Sequence, residues 1–411
     1  MADCFSQSGL LPFEQAKTLI LENVPTHNDS EEIPIEQAIG RVLASQMLSP
    51  VNVPPHDNSA MDGYAFAQAS VEHTSRLRLV GKAFAGAPFK GQVGAGECVR
   101  IMTGAKLPLG CDTVEMQENV EAQDDQLVLQ QATKHGQHVR ATGEDIQQQQ
   151  VLMNKGHQLT SADIGTLASI GIASVAVVKP LTIALIATGD ELKQPGEVLT
   201  EGDIFESNRF FLSAMLTKLP VKVIDFGVIA DDKEQLRAAF NQANQQADVV
   251  ISSGGVSVGE ADYTKLILEE LGQVGFWKIA MKPGKPFAFG KLANSTFFGL
   301  PGNPVSALVT FYQLVVPALY QMMAAKMPPR VKLPAVTTSA LRKAPGRMDF
   351  QRAVWQLNSE GQLEVTSTGS QGSGILTSIA KANCFILLPQ DQGRVEQGGT
   401  VMIELFDELI S

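Results

Sequence analysis

Apolar residues along the chain keep changing rhythm, and each change marks a different part. From residue 181 onward, short runs of buried type alternate with stretches at helical spacing: Thr182 to Ala187, Asn208 to Leu219, Lys222 to Gly227, Asp232 to Asn244, Asp248 to Ser252 and Tyr263 to Leu271. Continuous apolar runs separated by helix-length segments predict a βαβ series. That series implies a mostly parallel, right-handed, three-layer sheet of the α/β class. In such sheets ligands gather in the loops at the carboxyl ends of the strands.

The flanking parts read differently. Leu11 to Val24 places apolar residues on one helix face, and Ile33 to Leu48 joins a short strand to the helix-like Glu36 to Ala44. Pro50 to Asp145 is Gly-rich with short apolar runs, Leu77 to Val80, Cys98 to Met102 and Leu127 to Leu129, which predicts a small β domain. Gln147 to Gln150 is a solvated segment. Ser161 is placed to cap a helix through Ile170 with Gly171 as its stop, and Ser174 to Val178 alternates as a strand. Beyond the linker Met327-Pro328-Pro329 only strand-like runs follow: Arg352 to Leu357, Leu363 to Thr368, Cys384 to Leu388 and Thr400 to Leu405. They predict a C-terminal β barrel or sandwich. Leu292 to Ala325 carries no charge and is long enough to cross a bilayer. Its prolines at 301, 304 and 317 and its polar Asn303, Gln313 and Gln321 favour a core helix.

Composition narrows the function. A chain of 411 residues exceeds what one core can organise, so several domains are expected. A net charge of −11 argues against a nucleic-acid or anionic-membrane surface, and makes any local cationic cluster conspicuous. Cys4, Cys98, Cys111 and Cys384 are scattered without a C-x-x-C pair, so neither a zinc site nor a disulfide framework is expected. Met1 to Phe5 lacks the features of a secretory signal, which points to the cytoplasm.

Four segments carry chemistry. Thr188-Gly189-Asp190-Glu191 follows a strand; Glu191 is the candidate there, against the alternative of a capping turn. Ser252 to Asp262 joins a strand to a helix, and Gly254 and Gly255 let phosphate approach the backbone. It matches neither the dinucleotide nor the Walker pattern, and its Asp262 suits either Mg²⁺ or a helix cap. Trp277 to Phe287 gathers Lys278, Lys282 and Lys285 beside a Pro-Gly turn, suiting a multiply charged oxyanion, although a solvated edge has the same composition. Gly299 to Ser306 ends in Asn303 and Pro304, a cap and a first-turn proline for the uncharged helix. The ligand positions are Thr188, Gly189 and Asp190; Ser252, Gly254, Gly255 and Ser257; Pro286; and Pro301, Gly302, Asn303, Pro304 and Ser306. Their convergence predicts an anionic, phosphorylated ligand.

Seven motifs follow in order: D-N-S-A-M-D-G-Y from Asp57, I-M-T-G-A from Ile101, G-E-D from Gly143, T-G-D-E-L from Thr188, S-S-G-G-V-S-V-G-E-A-D-Y-T from Ser252, K-P-G-K-P from Lys282 and G-L-P-G-N-P-V-S from Gly299. Together they resemble the motif series of the MoeA molybdopterin molybdenumtransferase family and the gephyrin E domain. The resemblance covers nearly the whole chain. It implies an elongated, four-part homodimer: residues 1–50 with 146–180 as a mixed α/β dimerisation domain, 51–145 as a β-rich acidic-loop domain, 181–327 as a MogA-like molybdopterin-binding domain and 328–411 as a C-terminal β barrel.

It further implies that adenylylated molybdopterin is cleaved with Mg²⁺ as molybdate is inserted, releasing AMP. By the same resemblance Glu191, Asp231 and Asp262 hold Mg²⁺ or orient water, although Asp231 or Asp232 equally suits a helix cap. Asp62, Thr103 and Asp145 complete the site from the partner copy, Lys278, Lys282 and Lys285 neutralise phosphate and molybdate, and Arg352 and Ser373 close the molybdate pocket. For Arg352 a surface carboxylate pairing is the alternative. A MogA-type adenylyltransferase is an expected partner. The rival functions are molybdopterin adenylylation and a non-catalytic molybdopterin-binding scaffold.

Overall fold

In the computed structural model, which describes residues 9–255 and 263–411, six strands form the central sheet. They are β1 (Leu181–Thr188), β2 (Val221–Ile229), β3 (Val249–Ser253), β4 (Gly272–Ile279), β5 (Pro286–Leu292) and β6 (Thr296–Leu300). Their order is β4-β5-β6-β3-β1-β2, and Leu10–Leu11 adds a short parallel strand outside β4. β6, β3, β1 and β2 are parallel, whereas β5 is antiparallel to both neighbours. Because β5 reverses, the turn between β4 and β5 emerges at the same edge as the carboxyl ends of β1, β3 and β6. The lysine-bearing loop therefore opens toward the glycine loops.

The inner strands β1, β3 and β6 are largely apolar and buried because both their faces are covered, whereas the edge strand β2 carries Lys222 and Asp225. Leu181, Ile183 and Leu185 point into one core with helix α1 (Asn208–Leu216) and the uncharged helix, while Ala184 and Ile186 point into the other with α2 (Lys233–Gln246) and α3 (Tyr263–Leu271). The uncharged helix, α4 (Pro304–Met322), passes the length and hydropathy test for a membrane span, but 94% of its apolar window is buried in protein. Its buried Gln313 donates to Glu404 at 2.5 Å and accepts from Arg330 at 2.9 Å, so its polar exception is paired.

The first helix, Phe13–Asn23, packs Phe13, Ala16 and Ile20 into this same core rather than into the N-terminal domain, correcting the expected 1–50 grouping. Its face repeats at i, i+3 and i+7, and the ring of Phe13 lies 5.3 Å from that of Phe350 of the C-terminal unit. A separate core built by Ile33, Leu43, Met153, Leu167 and Val175 organises the pairing of Ser30–Pro34 with Ser174–Val178. The expected helix over Glu36 to Ala44 is only the single turn Ile35–Gln37, since Gly40 leaves the helical region at φ 75°. Helix Ser161–Ser169 is capped by Thr160, not Ser161: the Thr160 side chain accepts from Asp163, whose carboxylate accepts from the Thr160 backbone.

Residues 63–129 form a six-stranded sheet in the order Thr113–Met116, Gly63–Phe66, Glu97–Ile101, Arg76–Ala83, Gln126–Leu129, Val120–Gln123. In the C-terminal part Met348–Leu357 pairs at one end with Leu363–Ser367 and at the other with Cys384–Leu388, which closes the sheet into a barrel. Lys332–Thr337, a strand whose exposed first half hides its periodicity, completes the ring. Met281–Lys282 of the lysine loop joins this barrel's sheet beside Met348–Asp349, so the central and C-terminal units share backbone pairing.

Phe298 is fully buried with ring neighbours Phe287 and Phe289. In a Trp355→Phe background, where fluorescence reports buried Trp277 alone, Phe298→Ala is expected to destabilise the central core by about 3–5 kcal/mol. The measurement is the urea midpoint; an unchanged midpoint would show that β6 lies outside the cooperative core.

Candidate functional site

The strand-end loops meet because their strands are neighbours. Register pairs Ala187 of β1 with Ser253 of β3, and Ser253 with Leu300 of β6. A cleft of about 650 Å³ opens over these ends and is lined by Thr188, Gly189, Glu191, Asp231, Gly254, Gly255, Pro286, Pro301, Gly302, Asn303 and Pro304. All were expected from sequence. Ser252 and Ser306 were also expected, but both are buried and absent from the lining: successive strand residues face opposite ways, so Ser253 rather than Ser252 meets the cleft, and Ser306 is buried within the first turn of α4. Ser257 and Asp262 lie outside the described residues.

Glycine is required here for close approach. Gly254 has φ 91°, and a β-carbon on it would lie 2.6 Å from the Thr188 carbonyl oxygen; on Gly255, at φ 65°, it would lie 2.6 Å from Thr264 Oγ1. The Gly254 amide donates to the Leu300 carbonyl at 3.1 Å, so Gly254 contributes room rather than a ligand donor. Asn208, missed by sequence reading because it resembled an ordinary helix start, holds the loops together: its amide donates to Ser253 Oγ and to the Gly302 carbonyl, each at 2.7 Å. Pro304 opens α4 as expected, but Asn303 makes no side-chain cap, and the Val305 amide donates instead to the Ser373 carbonyl at 3.0 Å. The positive end of the helix dipole therefore borders the cleft, with the Ser373 loop from the barrel laid against it.

The other rim is acidic. Asp190 accepts from the Asp231 backbone amide at 3.0 Å, joining the loops after β1 and β2. Asp232, not Asp231, caps α2 by accepting from Gln235 at 2.9 Å, which leaves the Asp231 carboxyl for the cleft. Burial first, then the Asp190 and Glu191 carboxylates, hold Asp231 above the ordinary Asp value. Glu191 folds over Gly189, where a β-carbon would come within 2.6 Å of its Oε2. This rim has an unneutralised negative field, which a cation or a protonated ligand group relieves.

The lysines are spread along the adjoining edge. Lys278 and Lys285 are exposed at the ends of β4 and the following turn, and Lys282 Nζ lies 3.6 Å from buried Asp349 in a second hollow with Arg342 and Gln351. Arg352 is buried, not paired to a surface carboxylate; its guanidinium donates to Ser378 Oγ and the Gly372 carbonyl, both at 3.0 Å. Burial lowers its pKa to about 10, so it stays charged at neutral pH. Asp62, Thr103 and Asp145 are not brought to this cleft by their own chain. Asp62 accepts from the Thr103 amide and hydroxyl at 2.7 and 2.8 Å, which lowers its pKa, and Asp145 borders a hollow with Pro54, Arg140 and Glu144.

Comparison with known proteins matches the chain in three consecutive segments. Residues 11–171 match the MoeA N-terminal region (domains I and II), 184–321 a probable molybdopterin binding domain, and 334–406 the MoeA C-terminal region (domain IV). The molybdopterin molybdenumtransferase of Haemophilus influenzae is 46% identical over 405 residues, covering 98% of this chain and all of that protein. The chain belongs to the MoeA molybdopterin molybdenumtransferase family. The Bacillus subtilis molybdopterin molybdenumtransferase is 34% identical, covering 92% of this chain and 90% of that one. A solved MoeA structure from Pyrococcus horikoshii, 28% identical, superposes with a TM-score of 0.84 over 97% of this chain and all of its own. Gephyrin of Dictyostelium discoideum is 32% identical over 96% of this chain, which spans only 62% of that longer protein. In this MoeA-family chain the cleft falls in the segment matched to the molybdopterin binding domain, apart from Gly374 of the domain IV match.

The charge crowding predicts a pH effect. A carboxyl held above its unfolded value favours the folded state while protonated, below the ordinary Asp value of 3.8, and opposes it as pH rises through the folded value. Asp231→Asn is therefore expected to raise the thermal midpoint near pH 7 and to change it little in acid below 3.8. Equal midpoints at neutral pH would remove the crowding argument.

Proposed function

We propose that the chain is the transferase that inserts molybdenum, supplied as molybdate, into adenylylated molybdopterin with release of AMP. The observation that carries this reading is one cleft with a glycine cradle and a helix N-terminus on one side and the carboxylates of Glu191 and Asp231 on the other, with Asp190 behind them on the Asp231 amide. The first side suits the pyrophosphate linking adenylate to molybdopterin. The second suits a water and a cation at the bond to be cleaved.

In this mechanism the cradle between Gly255 and Pro304 orients the pyrophosphate. Glu191 and Asp231 orient the attacking water, and Asp231, whose carboxyl is held above the ordinary Asp value, takes up its proton. Water adds to the phosphorus, the bridging P–O bond breaks, and AMP leaves. Lys285, with Lys278 and Lys282, balances the charge of phosphate and molybdate, and buried Arg352 holds the loop that carries Ser373 against the site.

Of the three acids expected to hold Mg²⁺, Glu191 and Asp231 fit it by donor chemistry, for Mg²⁺ takes one or two carboxylates and completes its shell with water and substrate oxygens. Accordingly the described residues need no closed cage of three or more acids or histidines, and they contain none. When bound, Mg²⁺ supplies charge neutralisation for the phosphates. Asp62, Thr103 and Asp145 act in a homodimer, reaching the cleft of the partner copy. The enzyme works in the cytoplasm, receiving its substrate from a MogA-type adenylyltransferase.

The test incubates the protein with adenylylated molybdopterin, Mg²⁺ and molybdate, and measures AMP and active cofactor. Molybdate-dependent AMP release is expected; in a second mixture of molybdopterin, ATP and Mg²⁺, release of pyrophosphate would favour the adenylylating function, and binding without turnover in either mixture the scaffold. Lys285→Ala is expected to lower turnover roughly 100-fold while leaving the thermal midpoint unchanged, because the side chain is exposed. In parallel, Mg²⁺ should raise the thermal midpoint of the parent protein more than that of Asp231→Asn.

A further inference from the structure

One rim of the cleft is apolar and exposed, which phosphate binding does not require. Ile204 is 54% exposed and Phe205 47%, and both line the cleft. They are held firmly. Ile204–Phe205 pairs in parallel with Leu192–Lys193, the Ile204 amide donating to Glu191 and the Glu206 amide to Lys193, each at 2.8 Å. Just beyond, buried Glu206 accepts from the Arg209 amide at 2.7 Å and pairs with the Arg209 guanidinium, which also pairs with Asp225. Asn208 then bridges to the phosphate side of the cleft. The apolar rim is thus fixed at a set place relative to the glycine cradle.

Phe210 sets off what is particular to Phe205. It is equally exposed, at 48%, but it is outside the lining and its ring already carries the Arg209 guanidinium at 4.8 Å. Phe205 instead faces a cleft of about 650 Å³, a size typical of sites for nucleotide-sized ligands.

We propose that Ile204 and Phe205 form a stacking wall for the flat heteroaromatic ring of the phosphorylated ligand, a subsite that selects ring-bearing phosphates over bare ones. This rests on the phosphate-cleft reading. A rigid aromatic face exposed to water gains most when a flat polarisable ring covers it, and such stacking is tolerant of the ring's hydrogen-bonding pattern. Purine and pterin share this chemistry, so the wall is compatible with either end of an adenylylated pterin.

The experiment is calorimetric titration of the full-length protein with AMP, ribose 5-phosphate and 6-hydroxymethylpterin, for the parent, Phe205→Ala, Phe205→Tyr and Phe210→Ala. Phe205→Ala is expected to weaken one ring-bearing probe by about 10-fold and to leave ribose 5-phosphate unchanged, which also reports an intact fold. AMP as the affected probe assigns the wall to the adenine, and the pterin assigns it to the pterin. Phe205→Tyr should restore binding, and Phe210→Ala should have no effect. Equal losses for AMP and ribose 5-phosphate, or no loss for either ring, would overturn the wall. So would a Phe205→Ala protein that only dissociates to a smaller species in sedimentation, since the rim would then be a contact with a second copy. Failure of the parent protein to bind ribose 5-phosphate would instead overturn the phosphate cleft itself.

Discussion

Where β1 and β3 leave the central sheet, their ends lie so near that a β-carbon on Gly254 would come within 2.6 Å of the Thr188 carbonyl oxygen. Most of the cleft depends on this approach. It brings Ser253 within reach of Asn208, and Asn208 in turn reaches the Gly302 carbonyl, so three loops from three strands are held by one amide. A larger residue at 254 would part the β1 and β3 loops and separate the phosphate side from the acids at 190, 191 and 231. The constraint is a property of parallel strands, whose carboxyl ends must emerge together.

Charge explains how an acidic protein can hold a polyanion. Of the net −11, part is concentrated on the rim formed by Asp190, Glu191 and Asp231, where burial and then repulsion raise Asp231. On the facing side, favourable potential comes from backbone dipoles at the start of α4 and from lysines on the adjoining edge, rather than from global charge. A ligand that carries both phosphate oxygens and a cation satisfies the two rims together. Neither rim alone is selective for such a species.

The C-terminal barrel is joined to this arrangement through packing and backbone pairing. Phe13, Phe350 and Phe385 share the core that also buries α4, and Met281–Lys282 continues the barrel's sheet. Movement of the barrel would therefore strain the lysine loop and the Ser373 contact to α4 simultaneously. Gln313, Arg330 and Glu404 bond across the same junction, which fills its interior with directional contacts.

The chain's own pattern was enough to predict the α/β sheet, the strand-end loops and most of the cleft, because buried strands and glycine turns leave local signatures such as Leu181 to Thr188 and Gly254-Gly255. Its motif series likewise pointed to the family. Local pattern could not show that residues 11–24 belong to the central core, that Met281–Lys282 enters the barrel's sheet, or that Asp232 rather than Asp231 caps α2. Nor could it single out Asn208 or the Ile204–Phe205 rim, whose side chains look like an ordinary helix start and an ordinary hydrophobic pair. Those outcomes were decided by tertiary structure, since each depends on which distant segment supplies a hydrogen-bond partner or leaves a face uncovered, and that information is not carried by the spacing of neighbours along the chain.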